Sequence, residues 1–210
     1  MTDIAELIID LVHPTKVFSR VEALQRECPI PRPPGIYAWF FKEIPPNVSI
    51  EKCVEHNDLH LLYVGISPKK PQRMGKPSKQ NLRLRIKNHF RGNAEGSTLR
   101  LTLGCLLSEM LEIEPRRVGS GKRMTFHGGE EVLSEWMGEN AYVSWIVHEE
   151  PRRIEDQTMR QLSLPLNLRD NERHPFHRHL TSLRRDCKRN ARAKSIIDGV
   201  RIVPSEKNIR

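Results

Sequence analysis

Two short apolar, aromatic runs constrain this chain more than any other feature. They are Pro34-Gly35-Ile36-Tyr37-Ala38-Trp39-Phe40-Phe41 and Leu61-Leu62-Tyr63-Val64-Gly65-Ile66-Ser67, both bounded by Pro, Gly or Ser. Runs of this length and composition form strands. The segment between them, Lys42–His60, carries Pro45-Pro46-Asn47 and mixed charge, and is expected to be a loop that lets the strands pair antiparallel. Each strand holds a tyrosine beside a glycine, in Gly35-Ile36-Tyr37 and in Tyr63-Val64-Gly65.

Composition sets the outer limits. With 210 residues the default is one domain, with room for a small second one. Apolar residues at 37% and charged residues at 29% describe an ordinary soluble globular protein. No apolar run is long enough to span a bilayer. The start, Met1-Thr2-Asp3, has no basic lead-in or small-residue cleavage site, so no signal peptide is expected. Cys28, Cys53, Cys105 and Cys187 are scattered, with no CxxC spacing. Reduced thiols and a cytoplasmic location are the simplest expectation, with no membrane partner. The formal charge is +9, which favours a polyanion as partner. Residues 169–194 hold nine Lys/Arg and three Asp/Glu, a net +6, so the excess is concentrated where a phosphate-facing surface would need it.

Taken in order, residues 2–12 place Ile4, Leu7, Ile8 and Leu11 at helical spacing behind a Thr2 cap. A second helical stretch is expected after Pro14-Thr15, with Val17, Val21 and Leu24 on one face. Pro29-Ile30-Pro31-Arg32-Pro33-Pro34 is an extended connector, since proline cannot donate to a ladder. Residues 1–33 are therefore expected to form a helical appendage and a connector. After a polar loop at Pro68–Gln80, Asn81 starts a helix with Leu82, Ile86 and Phe90 on one face. Arg85 and His89 are neighbours on its other face. Ser97 caps a helix striped by Leu99, Leu103, Leu106, Leu107 and Met110. Arg116–Gly129 is expected as a loop with a short strand at Met124-Thr125-Phe126. Val132, Leu133, Trp136 and Met137 mark a helix, and Ala141–His148 a third strand. A further helix runs from Pro151 to about Leu164. Leu180–Ala193 closes the chain with Leu180, Leu183, Cys187 and Ala191 on one face. Arg184, Lys188 and Arg192 are opposite, with Arg185 and Arg189 beside them.

Several motifs invite chemistry. Gly119-Ser120-Gly121-Lys122-Arg123 lacks the first glycine of a phosphate loop, and Arg123 stands where a hydroxyl should hold magnesium, so it is a basic loop. His174, His177, His179 and Cys187 have zinc-ligand types at a spacing that fits no common framework. Glu155, in a predicted helix, stands twelve residues before Asn167 in Pro165-Leu166-Asn167. Alone, the first is a surface charge and the second a turn residue.

The ordered set is another matter. Gly35-Ile36-Tyr37, Tyr63-Val64-Gly65, Asn81-Leu82-Arg83-Leu84-Arg85 with His89-Phe90, Glu155, and Pro165-Leu166-Asn167 together resemble the GIY-YIG nuclease superfamily. The resemblance covers residues 34–172 and is similar to a branch of small stand-alone bacterial proteins. Leu168-Arg169-Asp170-Asn171 also resembles the tail of the nuclease module in excision-repair endonucleases. There are departures: Tyr37 and Tyr63 lie 26 residues apart, longer than in minimal members, and the second signature has Val64 for isoleucine.

The resemblance implies an α/β (α+β-like) domain with a small central antiparallel sheet flanked by helices. That domain would span residues 34–172 with an inserted helical segment, followed by a basic helix and tail over 173–210. It implies a metal-dependent DNA endonuclease, with Tyr37 as general base or water-orienting group and Tyr63 near the phosphate. Arg85 would offer its fork to the scissile phosphate, and His89 would orient a tyrosine or handle a proton. Glu155 would hold Mg²⁺ or Mn²⁺, and Asn167 would fix the glutamate-bearing region. Arg184, Arg185, Lys188, Arg189 and Arg192 would track DNA phosphates. The competing expectations are an inactive DNA-binding module of the same fold, a type II restriction endonuclease and a basic scaffold.

Overall fold

Every residue of the first apolar run is buried, and it is paired along both edges. The computed structural model describes residues 3–68 and 80–197. Thr2, most of the expected loop at Pro68–Gln80, and the tail beyond 197 lie outside them. The elements are α1 (Ile4–Val12), α2 (Arg20–Leu24), β1 (Gly35–Phe41), β2 (Glu55–His56), β3 (Leu59–Ser67), α3 (Leu82–Arg91) and α4 (Thr98–Leu106). They continue with β4 (Arg116–Val118), β5 (Arg123–Thr125), α5 (Gly129–Asn140), β6 (Ala141–Val147), α6 (Pro151–Gln161) and α7 (His177–Ala193). The main sheet has the order β2-β3-β1-β6, antiparallel throughout. This is the mixed α/β architecture expected from the sequence. Among the described residues no helix is long and apolar enough to cross a membrane.

Alternation along β1 divides the core in two. Tyr37, Trp39 and Phe41 face a cluster with Ile86, Phe90, Leu99, Leu103, Leu133 and Leu180. Ile36, Ala38 and Phe40 face a second cluster with Ile8, Leu11, Val64, Ile154 and Leu164. The first layer is therefore built from α3, α4, α5 and α7, and the second from α1 and α6. The N-terminal helix α1 packs on the sheet itself, and Ser144 Oγ of β6 donates to Leu11 O at 2.9 Å. The proline-rich connector is also engaged. Its carbonyls at Pro33 and Pro31 accept the Leu82 and Arg83 N–H groups at 3.5 and 3.1 Å, which the first turn of α3 cannot satisfy internally.

Local expectations are corrected in four places. The N-cap of α1 is Asp3, which accepts from Ala5 N–H, and not Thr2. The second helix starts only at Arg20, because Phe18 bridges to Val143 of β6 and Ser19 forms a capping box with Glu22. Val21, expected on its apolar face, is exposed. The loop between the signature strands contains β2, joined to β3 by Asn57-Asp58, both at positive φ as a two-residue I′ hairpin requires. In the stretch 116–129 the short strand expected at Met124-Thr125-Phe126 is present as β5, and the residues before it are not loop but β4 and a turn through Gly119 and Gly121 at φ 60° and 78°.

A buried ion pair joins three helices of the first layer. The fully buried Arg100 of α4 donates from Nε and Nη2 to Glu130 Oε2 of α5 at 3.0 and 2.7 Å. Its Nη1 reaches His89 O and Phe90 O at the end of α3, at 3.2 and 3.3 Å. Glu130 Oε1 accepts from Ala94 and Phe126 N–H, so the pair's polar atoms are well satisfied. Removing one member strands the other charge in the core. Arg100→Ala is expected to destabilise the protein by about 3–5 kcal/mol, read as a lowered urea midpoint with little change in m.

Candidate active site

Strand register explains the tyrosine–glycine signatures. Tyr37 lies opposite Gly65, and Trp39 opposite Tyr63, so both tyrosines project from one face of the sheet. A Cβ at Gly65 would stand 2.6 Å from the Tyr37 hydroxyl, so only glycine leaves room for that phenol. Gly35 is crowded in the same way, by Ile146 O of β6 and by Leu82 Cδ1 at 2.6 Å. Each signature therefore combines a functional side chain with the space that another element needs.

Helix α3, capped by Asn81 through a bond from Leu84 N–H, brings Arg85 and His89 beneath that face one turn apart. Both are buried, whereas the sequence alone left them on the helix's outer side. Arg85 Nε donates to Tyr37 Oη at 3.3 Å, and Arg85 Nη1 to Gly96 O at 2.8 Å. Tyr37 Oη lies 2.9 Å from His89 Nε2, and His89 Nδ1 lies 2.7 Å from Ser97 Oγ. With the imidazole proton on Nδ1, both contacts are satisfied: Tyr37 donates to Nε2 and Nδ1–H donates to Ser97. Ser97 Oγ also accepts from Arg100 N–H, so the α4 cap is the anchor of this chain. Burial raises the Tyr37 phenol well above its ordinary range, Tyr63 adds to the effect, and Arg85 opposes it without cancelling it. Burial works against the Arg85 charge, but the neighbouring Tyr37 and Tyr63 oxygens outweigh it and hold its pKa above the usual value.

Glu155 and Asn167 arrive from the other side. Asn167 accepts from Val64 N–H and donates to Val64 O, both at 2.9 Å. It thereby clamps the middle residue of the second signature. Glu155, on α6, has a side chain 17% exposed and stands 3.6 Å from Arg152. It lines a cavity of about 630 Å³ together with Tyr63, Thr98, Thr102, Asn167 and the inner face of α7. That size lies within the roughly 300–1,000 Å³ usual for ligand sites. Tyr37, Arg85 and His89 are not among the lining residues and stand behind it.

The cationic helix is divided by this geometry. Arg184, Arg185, Lys188 and Arg192 line the cavity, whereas Arg189 does not and pairs with Asp186 at 2.9 Å. Thr98, Thr102, Arg152 and Ser97 join the site without having been singled out in the sequence. Ser97 was identified only as a cap, and the threonines carry no linear signal beyond a spacing of one helical turn.

The donor set suits a hard divalent cation. Glu155 and Asp170 supply carboxylate oxygens to the cavity, and among the described residues no group of three His, Cys, Asp or Glu converges on one point. A single carboxylate completed by water and substrate phosphate is a magnesium-type set. His174, from the histidine cluster, is instead bonded to Ser163 Oγ at 3.1 Å.

The raised Tyr37 pKa has a measurable consequence. The folded protein keeps this proton where an unfolded phenol loses it, at pH above about 10. The native state then binds more protons than the unfolded state, so stability falls as pH rises past about 10. Alkaline spectrophotometric titration is expected to show Tyr37 ionising only with unfolding. Tyr37→Phe should reduce the dependence of the denaturation midpoint on pH in that range.

In comparisons with known proteins, the model of the GIY-YIG catalytic domain matches residues 35–186. No curated protein and no solved structure matches the chain. The family match begins at the first signature glycine, contains Tyr37, Tyr63, Arg85, His89, Glu155 and Asn167, and runs into α7. It spans most of the sequence, and the chain belongs to the GIY-YIG catalytic domain family.

Proposed function

We propose that this protein is a metal-dependent endonuclease that hydrolyses phosphodiester bonds in DNA. One observation carries the reading: the Glu155 carboxylate, Tyr63 and the cationic face of α7 line the same cavity. A carboxylate among cations suits a metal and a polyanion together better than either alone.

In this reading Glu155 holds Mg²⁺ or Mn²⁺, which when bound supplies Lewis-acid neutralisation of charge developing on the phosphate. The remaining work falls to the chain. Tyr37 is hydrogen-bonded to His89 Nε2, so His89 takes the phenolic proton as the phenol oxygen accepts one from the attacking water, a step that requires water to reach this buried oxygen from the cavity. Ser97 keeps the imidazole in the required tautomer. Arg85 stabilises negative charge on the Tyr37 oxygen. Tyr63 hydrogen-bonds at the phosphate, and Asn167 keeps β3 in register with α6 by its two bonds to Val64. Arg185, Lys188 and Arg192 hold flanking phosphates without reading sequence.

A second reading, a DNA-binding module of the same fold without turnover, is favoured by the complete burial of Tyr37. Cleavage of supercoiled plasmid and of a branched oligonucleotide separates the two. Wild type is expected to nick in Mg²⁺ and not in EDTA. Glu155→Ala, compared at equal DNA occupancy, should lose at least about 10²–10³-fold in rate. Salt-sensitive binding by wild type with no cleavage of either substrate would establish the binding module instead.

A further inference from the structure

Arg184 is set apart on α7 by its bond into the cavity wall; the half-buried Lys188 and the exposed Arg178 and Arg192 likewise show no carboxylate partner among the described residues. Arg185 and Arg189 lie near Asp186, at 3.8 and 2.9 Å, and Lys194 pairs with Glu114. Arg152, across the cavity, faces Glu155 and Asp170 at 3.6 and 3.9 Å. Arg184 is half-buried and, among the described residues, no carboxylate pairs with it. Among the described residues one of its five donors is used, from Nη1 to Thr102 Oγ1 at 3.3 Å, and burial works against its charge. A partly desolvated cation with no counter-ion is costly unless an anion comes to it.

Its setting says which anion. Thr102 and Thr98 are one turn apart on α4, and Thr98 Oγ1 lies 3.4 Å from Tyr63 Oη. A row Tyr63–Thr98–Thr102–Arg184 thus forms one wall of the cavity that holds Glu155. Arg85 lies off that wall, with Nε on Tyr37 Oη and Nη1 on Gly96 O.

We propose that Arg184 is the guanidinium that grips a substrate phosphodiester inside the cavity, while Arg85 serves the tyrosines behind it. This rests on the nuclease reading for the identity of the anion, and it makes α7 part of the reacting site. Two donors of a planar guanidinium match two phosphate oxygens, a geometry lysine cannot reproduce.

The test uses full-length protein and has two arms. Binding of a fluorescein-labelled, mixed-sequence oligodeoxynucleotide is measured over a salt series in EDTA, and plasmid nicking is measured in Mg²⁺. Arg184→Gln is compared with Arg184→Lys and with Arg153→Gln, an exposed α6 charge paired with Glu150 and outside the cavity lining. Arg184→Gln should flatten the slope of log K against log salt by about 0.7–0.9, one phosphate contact. It should also lower kcat/KM for nicking by at least about 10²-fold. Arg184→Lys should keep the slope but recover little of the cleavage, and it keeps the test readable if the glutamine variant does not fold. Arg153→Gln should change neither quantity. An unchanged slope in Arg184→Gln overturns the proposal whatever happens to cleavage. So does wild-type cleavage by Arg184→Lys, or a flattened slope with nicking intact, which would make Arg184 a surface contact. A flattened slope in a protein whose wild type nicks nothing supports the phosphate ligand and sinks the nuclease reading.

Discussion

A strand buried on both faces and paired on both edges leaves its polar side chains no access to water. β1 is such a strand, and its polar atoms are the Tyr37 hydroxyl and the Trp39 indole N–H, the latter without a hydrogen-bond partner among the described residues. The phenol must therefore find partners in the protein or leave a buried polar group unsatisfied, at a cost of about 1–3 kcal/mol. It finds His89 and Arg85, both on α3, and their placement in turn demands the cap at Ser97, the glycine at position 65 and the anchoring of α3 by the connector. The same contacts that satisfy the core place a base and a cation around one phenol oxygen.

Around that oxygen the support is redundant. Arg100 and Glu130 tie α4 and α5 to the last turn of α3, and Ser97 serves both as helix cap and as partner of His89. On the other face, α6 packs through Ile154 and Thr158, leaving Glu155 at the edge of the sheet, where the cavity opens. Asn167 then fixes the segment after α6 to β3 through two bonds to a single residue, so that Glu155 and Tyr63 keep their relation. Mobility at any of these joints would loosen a geometry that the proposed hydrolysis would need held to fractions of an ångström.

Much of this was legible in the primary structure, and for identifiable reasons. The signature strands, the Asn81 and Ser97 caps, the entry of α6 at Pro151 and the amphipathic α7 all depend on interactions within a few residues of each other. The short strands β2 and β4 were harder, because two or three residues leave no period to detect, although Asn57-Asp58 and the Ser19/Glu22 pair were local signals open to reading. Burial of Arg85 and His89 was not legible. A helix with one clearly apolar face gives no sign that its second face is also covered, and only β1 and the α4 cap cover it.

By itself the sequence determined which residues could form the site, because strand pairing puts Tyr37 opposite Gly65 and helical periodicity puts Arg85 beside His89. It also determined that α7 would carry apolar and cationic faces. The tertiary structure decided which of those cations enter the cavity, which are quenched by Asp186 and which hydroxyls join them. The physical reason is range. Local hydrogen bonding and hydrophobic period act over one or two turns, whereas desolvation and charge pairing depend on what the rest of the chain brings within about 4 Å.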